Sequence, residues 1–523
     1  MRIPFDLLAA LLTLEAVREL SQRQREQDLW LADRLPIATP QAFLALAAFW
    51  LIAWLLHEWL ARRAEWSTRW GLWPQGLRVV ATPGGTLHEP ARRHPLEVHA
   101  RQATIAQFLV VGLYAAFIHG YSWPIRTMEW PFWLGLDWLL SRETCEALGR
   151  GLFVNGLLGL GPYAVAMILA LVPKHRLLAM ETGRGEGVRR WLSFELRLTF
   201  PPLILWLALY AFWDLAEWLV PKEALRFAVE RPWLMVLAGG LVLAGFAMAA
   251  MPWMMIRLWH ARPMADGEAK ARLAGLLKRS GVKARAILEW GPPGTGFANA
   301  CVLGPWAPFR YILISPGLMR LLSPEECEAV IAHEIGHVRH GHLGLLVVVV
   351  LGLAAWSDLI LRGLEGLECG DPVTQGVVLM LLIVVYLRLL FGAISRRCER
   401  QADLAAAELV GSPFPLIAAL EKLALLSGGV REVYSWHHDS IARRVERLQT
   451  EGVDREAISR YHRSLKPMRM GLLVLSAVAI GLVLGLALAE GADSVENPAS
   501  ETAPAPVRKE NGWAVSPDRP RQG

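Results

Sequence analysis

Long apolar runs constrain the fold of this chain more than any other feature of its sequence. Eight stretches each contain roughly 19 or more largely apolar residues, which is enough for a helix to cross a hydrocarbon core about 30 Å thick. Hydrophobic residues make up 54% of the chain, and its 23 tryptophans suit the interfaces between membrane and water. We therefore predict a predominantly α, polytopic helical membrane protein. Its eight predicted spans are 41–60, 106–125, 151–173, 199–220, 233–256, 343–361, 374–394 and 470–488.

The charge of the loops predicts how these spans are oriented. Loops rich in Lys and Arg alternate with loops that are poor in them, as expected if the basic loops stay in the cytoplasm. The basic loops also account for the formal net charge of +6, so we expect a lipid bilayer as a partner and no nucleic acid. The segments assigned to the cytoplasmic side are 61–105, 174–198, 257–342 and 395–469.

The two ends of the chain and its cysteines predict no chemistry. Residues 1–40 contain a short apolar run that carries Asp6 and Glu15, which favours an interfacial helix over a cleaved signal peptide. Residues 489–523 are rich in Ala, Pro, Glu and Ser, so a disordered tail is predicted. The five cysteines are scattered without a Cys-x-x-Cys pair, and we interpret most of them as buried thiols.

One helical pattern carries the residues of a metal site. His333 and His337 are four residues apart, so a helix places them on one face, where both can bind the same tetrahedral zinc ion. Glu334 follows the first histidine and can act as a general base toward water. Ser323 and Glu326 form a capping-box pattern that predicts where this helix begins. The motif alone leaves open which residue supplies a third ligand.

A second polar segment supplies a candidate third ligand. Glu399 and Asp403 are also four residues apart, so Glu399 can bind the metal while Asp403 accepts a hydrogen bond from a ligating histidine. Two predicted spans separate this segment from His337, and an even number of crossings returns the chain to the same side of the membrane. The alternative is a solvated face of an Arg-rich helix. His340 and His342 are interpreted as surface or second-site histidines, with metal binding as a minor alternative.

The residues before the metal helix predict a small α+β unit. Residues 264–290 read as a helix followed by a strand, and a glycine- and proline-rich turn occupies 291–296. Two further strand-like runs follow at 297–303 and 309–315. We therefore predict a small antiparallel sheet immediately before the helix that carries the two histidines.

Three stretches together resemble the M48 metallopeptidases, the Ste24/HtpX-like membrane zinc proteases. The stretches are AHEIGHVRHGH at 332–342, SRRCERQAD at 395–403 and WHHDSIARRVERL at 436–448. The resemblance covers roughly residues 265–450 and implies a zincin-like α+β metalloprotease domain with bound zinc. The positions that match the family's ligands, base and supporting carboxylate are His333, Glu334, His337, Glu399 and Asp403.

The resemblance also implies contacts with substrate. His438 and Arg444 match a histidine and an arginine that the family places near the substrate carbonyl, where they help to stabilise the oxyanion or bind substrate. In this chain Asp439 stands where the family usually has proline. Asn299 and Ala300 begin the stretch NACVLG, which resembles the family's edge strand, along which an extended substrate pairs through main-chain hydrogen bonds.

The predicted function is that of a membrane-embedded zinc endopeptidase with one Zn²⁺ per subunit. We expect it to cleave membrane-associated or misfolded proteins, or lipidated C-terminal peptides, at the cytoplasmic side of a bacterial inner membrane or a eukaryotic ER-type membrane. One alternative is a catalytically silent zinc-binding sensor or scaffold, which the complete set of ligands and base disfavours. Another is a transporter, which the long soluble segments disfavour. The oligomeric state is left open.

These assignments divide the chain into seven predicted units. They are an N-terminal segment (1–40), a five-span region (41–256), a cytoplasmic metalloprotease segment (257–342), a transmembrane hairpin (343–394), third-ligand and substrate-site helices (395–469), a last span (470–488) and the tail (489–523).

Overall fold

The computed structural model describes most of the chain between residues 39 and 496. The described residues are 39–69, 76–82, 85–91, 130–149, 151–182, 188–199, 201–221, 245–291, 297–366, 385–426, 431 and 439–496, with isolated residues between 106 and 127 and between 378 and 382.

Two long helices, α1 and α4, pack against each other in the N-terminal region. Arg176 of α4 forms an ion pair with Glu58 of α1 at 2.5 Å, and the hydroxyl of Tyr114 donates to the carbonyl of Gly159 at 2.9 Å. The elements are α1 (Thr39–Arg69), the antiparallel hairpin β1 (Gly76–Thr82) and β2 (Gly85–Ala91), α2 (Trp130–Trp133), a 3-10 turn (Leu136–Trp138), α3 (Arg142–Gly149), α4 (Leu152–Thr182), α5 (Val188–Thr199), α6 (Pro201–Leu219), a π-helical turn (Phe246–Ala250) and α7 (Met251–Leu258).

Four helices in the described part of the chain are long and apolar enough to cross a membrane. They are Gln41–Arg63, Leu152–Arg176, His342–Leu364 and Arg455–Leu486. Each coincides with a predicted span. The predicted span 199–220 falls on α6, and those at 106–125, 233–256 and 374–394 lie partly or largely outside the described residues. The chain is thus a membrane protein with four candidate spans, and the total of eight stays a prediction.

A four-stranded sheet follows α7, and the expectation that it is wholly antiparallel is wrong. The strand order is β3-β4-β6-β5, and β4 pairs with β6 in parallel. All four residues of β6 are buried, so the most apolar strand takes a central position and β5 moves to the edge. The elements are β3 (Arg262–Pro263), α8 (Glu268–Ser280), β4 (Ala286–Glu289), β5 (Ala300–Leu303), a 3-10 turn (Ala307–Phe309), β6 (Tyr311–Ile314) and α9 (Pro316–Leu321).

The helix that carries the two histidines, α10, begins where the sequence predicts. The hydroxyl of Ser323 accepts from the main-chain N–H of Glu326 at 3.2 Å, and the Glu326 carboxylate accepts from the N–H of Ser323 at 2.8 Å, which completes the capping box. Its buried face, with Ile331 and Ile335, packs in one core with the sheet and the helices that follow. The elements are α10 (Pro324–Arg339), α11 (His342–Gly366), a π-helical turn (Tyr386–Phe391), α12 (Gly392–Val410), α13 (Phe414–Leu426), α14 (Ile441–Glu451) and α15 (Arg455–Glu496).

The last helix, α15, crosses two of the predicted boundaries. It begins within the predicted unit 395–469, contains the last candidate span and ends at Glu496, so it extends into the predicted tail. The remaining residues of that tail, and the predicted interfacial helix in 1–40 up to residue 38, lie outside the described residues.

Candidate metal centre

The two histidines of α10 direct the same ring nitrogen toward one point. They are one helical turn apart, and Nε2 of His333 lies 3.2 Å from Nε2 of His337. His333 is buried, whereas the side chain of His337 is 26% exposed. The exposed fraction of His337 shows that the convergence point can be reached from outside the protein.

Glu399 of α12 brings a carboxylate to the same point. Its Oε1 lies 3.4 Å from Nε2 of His337, and its Oε2 lies 3.7 Å from Nε2 of His333. Donor atoms of the three residues all lie within 4.8 Å of one another. Among the described residues, these three form the one group of His, Cys, Asp or Glu side chains that could hold a metal ion. The structure thus brings together the three ligands that the sequence predicts.

A glycine allows α12 to approach α10 closely enough for this arrangement. A Cβ atom added at Gly336 would lie 3.1 Å from both the Cα and the carbonyl oxygen of Ala402, and 3.3 Å from the Cβ of Ala405. Gly336 stands between the two histidines in sequence, and Ala402 stands between Glu399 and its neighbour Asp403. The close helix contact therefore lies at the candidate metal centre.

His333 is held from behind by a carboxylate. Its Nδ1 lies 2.9 Å from Oδ1 of Asp403, and Arg444 of α14 binds the same carboxylate with Nε at 2.9 Å and Nη2 at 2.6 Å. Burial alone would raise the pKa of Asp403, but Arg444 and His333 outweigh it and hold that pKa below its usual value. Burial would likewise lower the pKa of His333, but Asp403 raises it. These contacts favour an ionised Asp403 whose carboxylate lies against Nδ1 of His333.

His337 is held from behind by a second histidine. Of the interpretations of His342 as a surface or a second-site histidine, the surface interpretation is wrong. His342 is 1% exposed, and its Nδ1 lies 2.9 Å from Nδ1 of His337. The cause is a helix break: Gly341 adopts a left-handed φ of 63°, which ends α10 and starts α11 in a new direction. The glycine that follows the helix in the sequence is the signal that could have indicated this break. Nε2 of His342 lies 3.0 Å from Oε1 of Gln401, another residue of α12.

The charge of Glu334 acts on residues of the edge strand and of α14. Burial, and after it the negative charge of Glu334, raises the pKa of the Cys301 thiol on β5. Burial would lower the pKa of Arg444, but Asp403 above all, then Glu399 and Glu334, raise it. Glu334 is partly exposed, so its carboxylate remains accessible. The predicted base is thus close enough to both the edge strand and Arg444 for its charge to act on them.

The edge strand β5 offers main-chain groups to a partner. Asn299 exchanges hydrogen bonds with Ser315: its N–H donates to the Ser315 hydroxyl at 2.9 Å, and its carbonyl accepts from the Ser315 N–H at 2.9 Å. In an antiparallel pair the bonded direction alternates, so the N–H and carbonyl of Ala300 and Val302 point away from β6. Of the two predicted substrate residues, Ala300 therefore presents its main chain to the open edge of the described sheet.

Of the two predicted residues near the substrate carbonyl, His438 lies outside the described residues. Arg444 lies at the centre, but two of its nitrogens contact Asp403, and its Nη1 lies 3.9 Å from Oε2 of Glu399. Asp439, which replaces the usual proline, is buried and forms an ion pair with Arg447 two turns along α14. Ser440 then caps α14 by accepting from the N–H of Arg443 at 3.3 Å.

Comparisons with known proteins agree with the motifs. Residues 268–452 match the sequence profile of peptidase family M48. A protease HtpX homolog of Janthinobacterium sp. (strain Marseille) is 28% identical over 162 residues, which cover 28% of this chain and 54% of that protein. One from Thermoanaerobacter pseudethanolicus is 33% identical over 143 residues, which cover 24% of this chain and 47% of that protein. The chain thus spans about half the length of these curated relatives.

A solved structure is also similar. The crystal structure of S. mikatae Ste24p is 18% identical, has a TM-score of 0.49, and the match covers 80% of this chain and 100% of that one. The matched family segment contains both histidines of α10, Glu334, Glu399, Asp403 and Arg444. Over residues 268–452, this chain is therefore similar to the proteins of peptidase family M48.

Proposed function

We propose that this protein is a membrane-embedded zinc endopeptidase whose metal ligands are His333, His337 and Glu399. The observation that carries the proposal is the convergence of these three donors beside Glu334. Ligands about 2.0–2.2 Å from a tetrahedral zinc ion are separated from one another by about 3.3 Å. The two Nε2 atoms are 3.2 Å apart, Nε2 of His337 lies 3.4 Å from one Glu399 oxygen, and Nε2 of His333 lies 3.7 Å from the other, which is close to that spacing. Two histidines and a glutamate leave a fourth position for water, as catalytic zinc sites require.

The residues around the centre have distinct tasks in this proposal. Bound zinc would polarise a peptide carbonyl and lower the pKa of water toward about 7. A carboxylate oxygen of Glu334 accepts a proton from the attacking water. Glu334 then donates this proton to the nitrogen of the departing amine. Asp403 holds His333 in the tautomer whose Nε2 is available to the metal. Arg444 acts mainly through Asp403, because its guanidinium is already bound to that carboxylate.

An extended substrate would add a strand to the edge of the sheet. The main-chain groups of Ala300 and Val302 would form the hydrogen bonds, while Asn299 would contribute through its side chain, since Ser315 occupies its main chain. The negative charge of Glu334 acts on Cys301 of the same strand, which supports a substrate path that passes the base. His438 would complete the site from the chain segment before α14.

The setting proposed for this site is the cytoplasmic side of the membrane. Two residues separate the end of α10 at Arg339 from the start of α11, a candidate span, at His342. The Lys- and Arg-rich segments 257–342 and 395–469 flank the hairpin. A site at this position could be reached by membrane-associated or misfolded proteins, or by lipidated C-terminal peptides. These substrate classes belong to the proposal together with the seven-unit organisation of the chain.

The test is cleavage by the purified full-length protein and by its Glu334→Gln variant. With labelled unfolded casein as the probe, we expect the variant to keep its zinc and its melting temperature and to lose roughly 10²–10⁴-fold in rate. The matched control is Glu325→Gln, which changes an exposed carboxylate on the same helix and should leave the rate unchanged. Undiminished cleavage by Glu334→Gln would contradict the proposal. Zinc binding without any turnover in the unaltered protein would favour a silent sensor instead.

A further inference from the structure

The residues behind His337 allow a further inference, which rests on the proposed metal site. His337 presents Nε2 to the convergence point, and its Nδ1 lies 2.9 Å from Nδ1 of His342. His342 is almost fully buried at 1% exposure, although it carries a polar ring. Buried polar groups of this kind are retained with defined partners, so the contact between the two rings constrains which nitrogen of each carries a proton.

The direction of every hydrogen bond in this chain of contacts follows from the metal site. A histidine that binds metal through Nε2 carries its proton on Nδ1, so His337 can only donate to His342. Nδ1 of His342 is then the acceptor, its proton sits on Nε2, and it donates to Oε1 of Gln401 at 3.0 Å. The amide nitrogen of Gln401 in turn faces Nδ1 of His462 at 3.3 Å and donates to it.

We propose that His342 and Gln401 are positioning residues for the metal ligand His337, and that His462 fixes the orientation of the Gln401 amide. Without an acceptor opposite its Nδ1, His337 loses the hydrogen bond that fixes the tautomer and the orientation of its ring. A Gln401 amide turned the other way would offer N–H to Nε2 of His342, which would force two N–H groups to face each other between the two histidine rings.

The same contacts connect the metal centre to a candidate span. The contacts that run from His337 through His342 and Gln401 to His462 are called the relay below. His342 is the first residue of α11 and His462 lies on α15, and both helices are candidate membrane spans. The relay therefore makes the geometry of His337 depend on how α11 and α15 are packed. Gly352 of α11 lies so close to Ser476 of α15 that a Cβ atom at Gly352 would be 2.3 Å from the serine hydroxyl, so the two helices are in close contact there.

The experiment measures zinc affinity of the purified full-length protein by competition with a chromogenic chelator, and the melting temperature of the metal-free form. His342→Phe keeps a ring but removes the acceptor, and we expect zinc affinity to fall roughly 10–100-fold. His342→Gln keeps an acceptor oxygen and is expected to recover most of that loss. The matched control is His260→Phe, because His260 is an exposed histidine that follows α7 and contacts Arg197, outside the relay, and this change should leave the affinity unchanged.

The outcomes separate the relay from the site on which it rests. Equal zinc affinity in His342→Phe and the unaltered protein overturns the relay alone, as does a His342→Gln variant no better than His342→Phe. An unaltered protein that binds no zinc overturns the proposed function and the relay with it. Should His342→Phe fail to fold, Gln401→Leu breaks the relay one step further out. It is expected to weaken zinc binding roughly tenfold, and unchanged affinity there overturns the relay.

Discussion

The two histidines of the metal centre lie on one helix but are held by partners of different kinds. Behind His333 lies the charged side of the centre, formed by Asp403 and Arg444, with contacts of 2.6–2.9 Å. Behind His337 lies the neutral side, formed by His342 and Gln401, with contacts of 2.9 and 3.0 Å. In the proposal each side orients one ligand, yet only the charged side buries ions.

The difference indicates where the centre is most sensitive to change. A buried carboxylate or guanidinium is costly without its partner, whereas a neutral ring that loses one hydrogen bond leaves no charge behind. Both sides nevertheless depend on α12, which contributes Glu399, Gln401 and Asp403 within five consecutive residues. We therefore expect stability to respond mainly to the charged side and metal affinity to both.

Removal of Arg444 should have the largest effect on stability. Arg444→Met leaves the buried Asp403 without its two-pronged partner, and breaking a buried pair in this way costs roughly 3–5 kcal/mol. Thermal or denaturant unfolding of the metal-free protein in detergent measures the loss. The matched control is Arg443→Met, the exposed neighbour on α14, which should change stability by less than about 1 kcal/mol.

The comparison would fail in a recognisable way. If Arg444→Met and His342→Phe lower the stability of the metal-free protein equally, the charged and neutral sides do not differ as proposed. If Arg444→Met is no worse than Arg443→Met, the ion pair with Asp403 contributes nothing to the fold.

A smaller effect on stability is expected at Gly336, where α12, which contributes residues to both sides, packs closely against α10. Gly336→Ala places a methyl group 3.1 Å from the main chain of Ala402, which pushes α12 away from α10 and should cost roughly 1–3 kcal/mol. Zinc affinity should fall as well, because all the contributions of α12 move together. Gly344→Ala is the control, since nothing lies within 4 Å of the added atom. Equal behaviour of the two glycine variants would show that the close helix contact is not needed.

Local features of the metal helix could be predicted from the sequence because they depend on neighbouring residues. The capping box of Ser323 and Glu326 and the shared face of His333 and His337 both follow from helical spacing. The prediction that Glu399 lies beside the two histidines required one more step, namely that an even number of spans separates the segments that carry them. The position of Arg444 came from the family resemblance, which did not indicate that its guanidinium is bound to Asp403.

The features that could not be predicted depend on how distant segments pack. His342 lies behind His337 only because Gly341 turns the chain, and helical periodicity continued past the break places it elsewhere. Gln401 contacts His342 from the opposite helix, and no local pattern indicates that pairing. Likewise, β4 pairs in parallel with β6 only because β5, which lies between them in sequence, takes the edge of the sheet.

The membrane region shows the limit of hydropathy. Length and apolarity identify candidate spans, and four of the predicted ones coincide with helices that meet both criteria. Hydropathy does not indicate which spans touch, and the ion pair of Glu58 with Arg176 between α1 and α4 could not be inferred from either apolar run alone. Contacts between spans are set by individual polar and small residues rather than by average composition.

The most direct test of the account is the zinc content of the purified full-length protein and of its Glu399→Ala variant. The unaltered protein should hold one zinc ion per chain. Removal of Glu399 should weaken binding by more than about 100-fold, since a direct ligand matters more than the supporting groups that cost 10–100-fold. Glu408→Ala, on the exposed side of the same helix, should keep the full zinc content. Full zinc content in Glu399→Ala would contradict the claim that the two segments flanking the hairpin form one metal site.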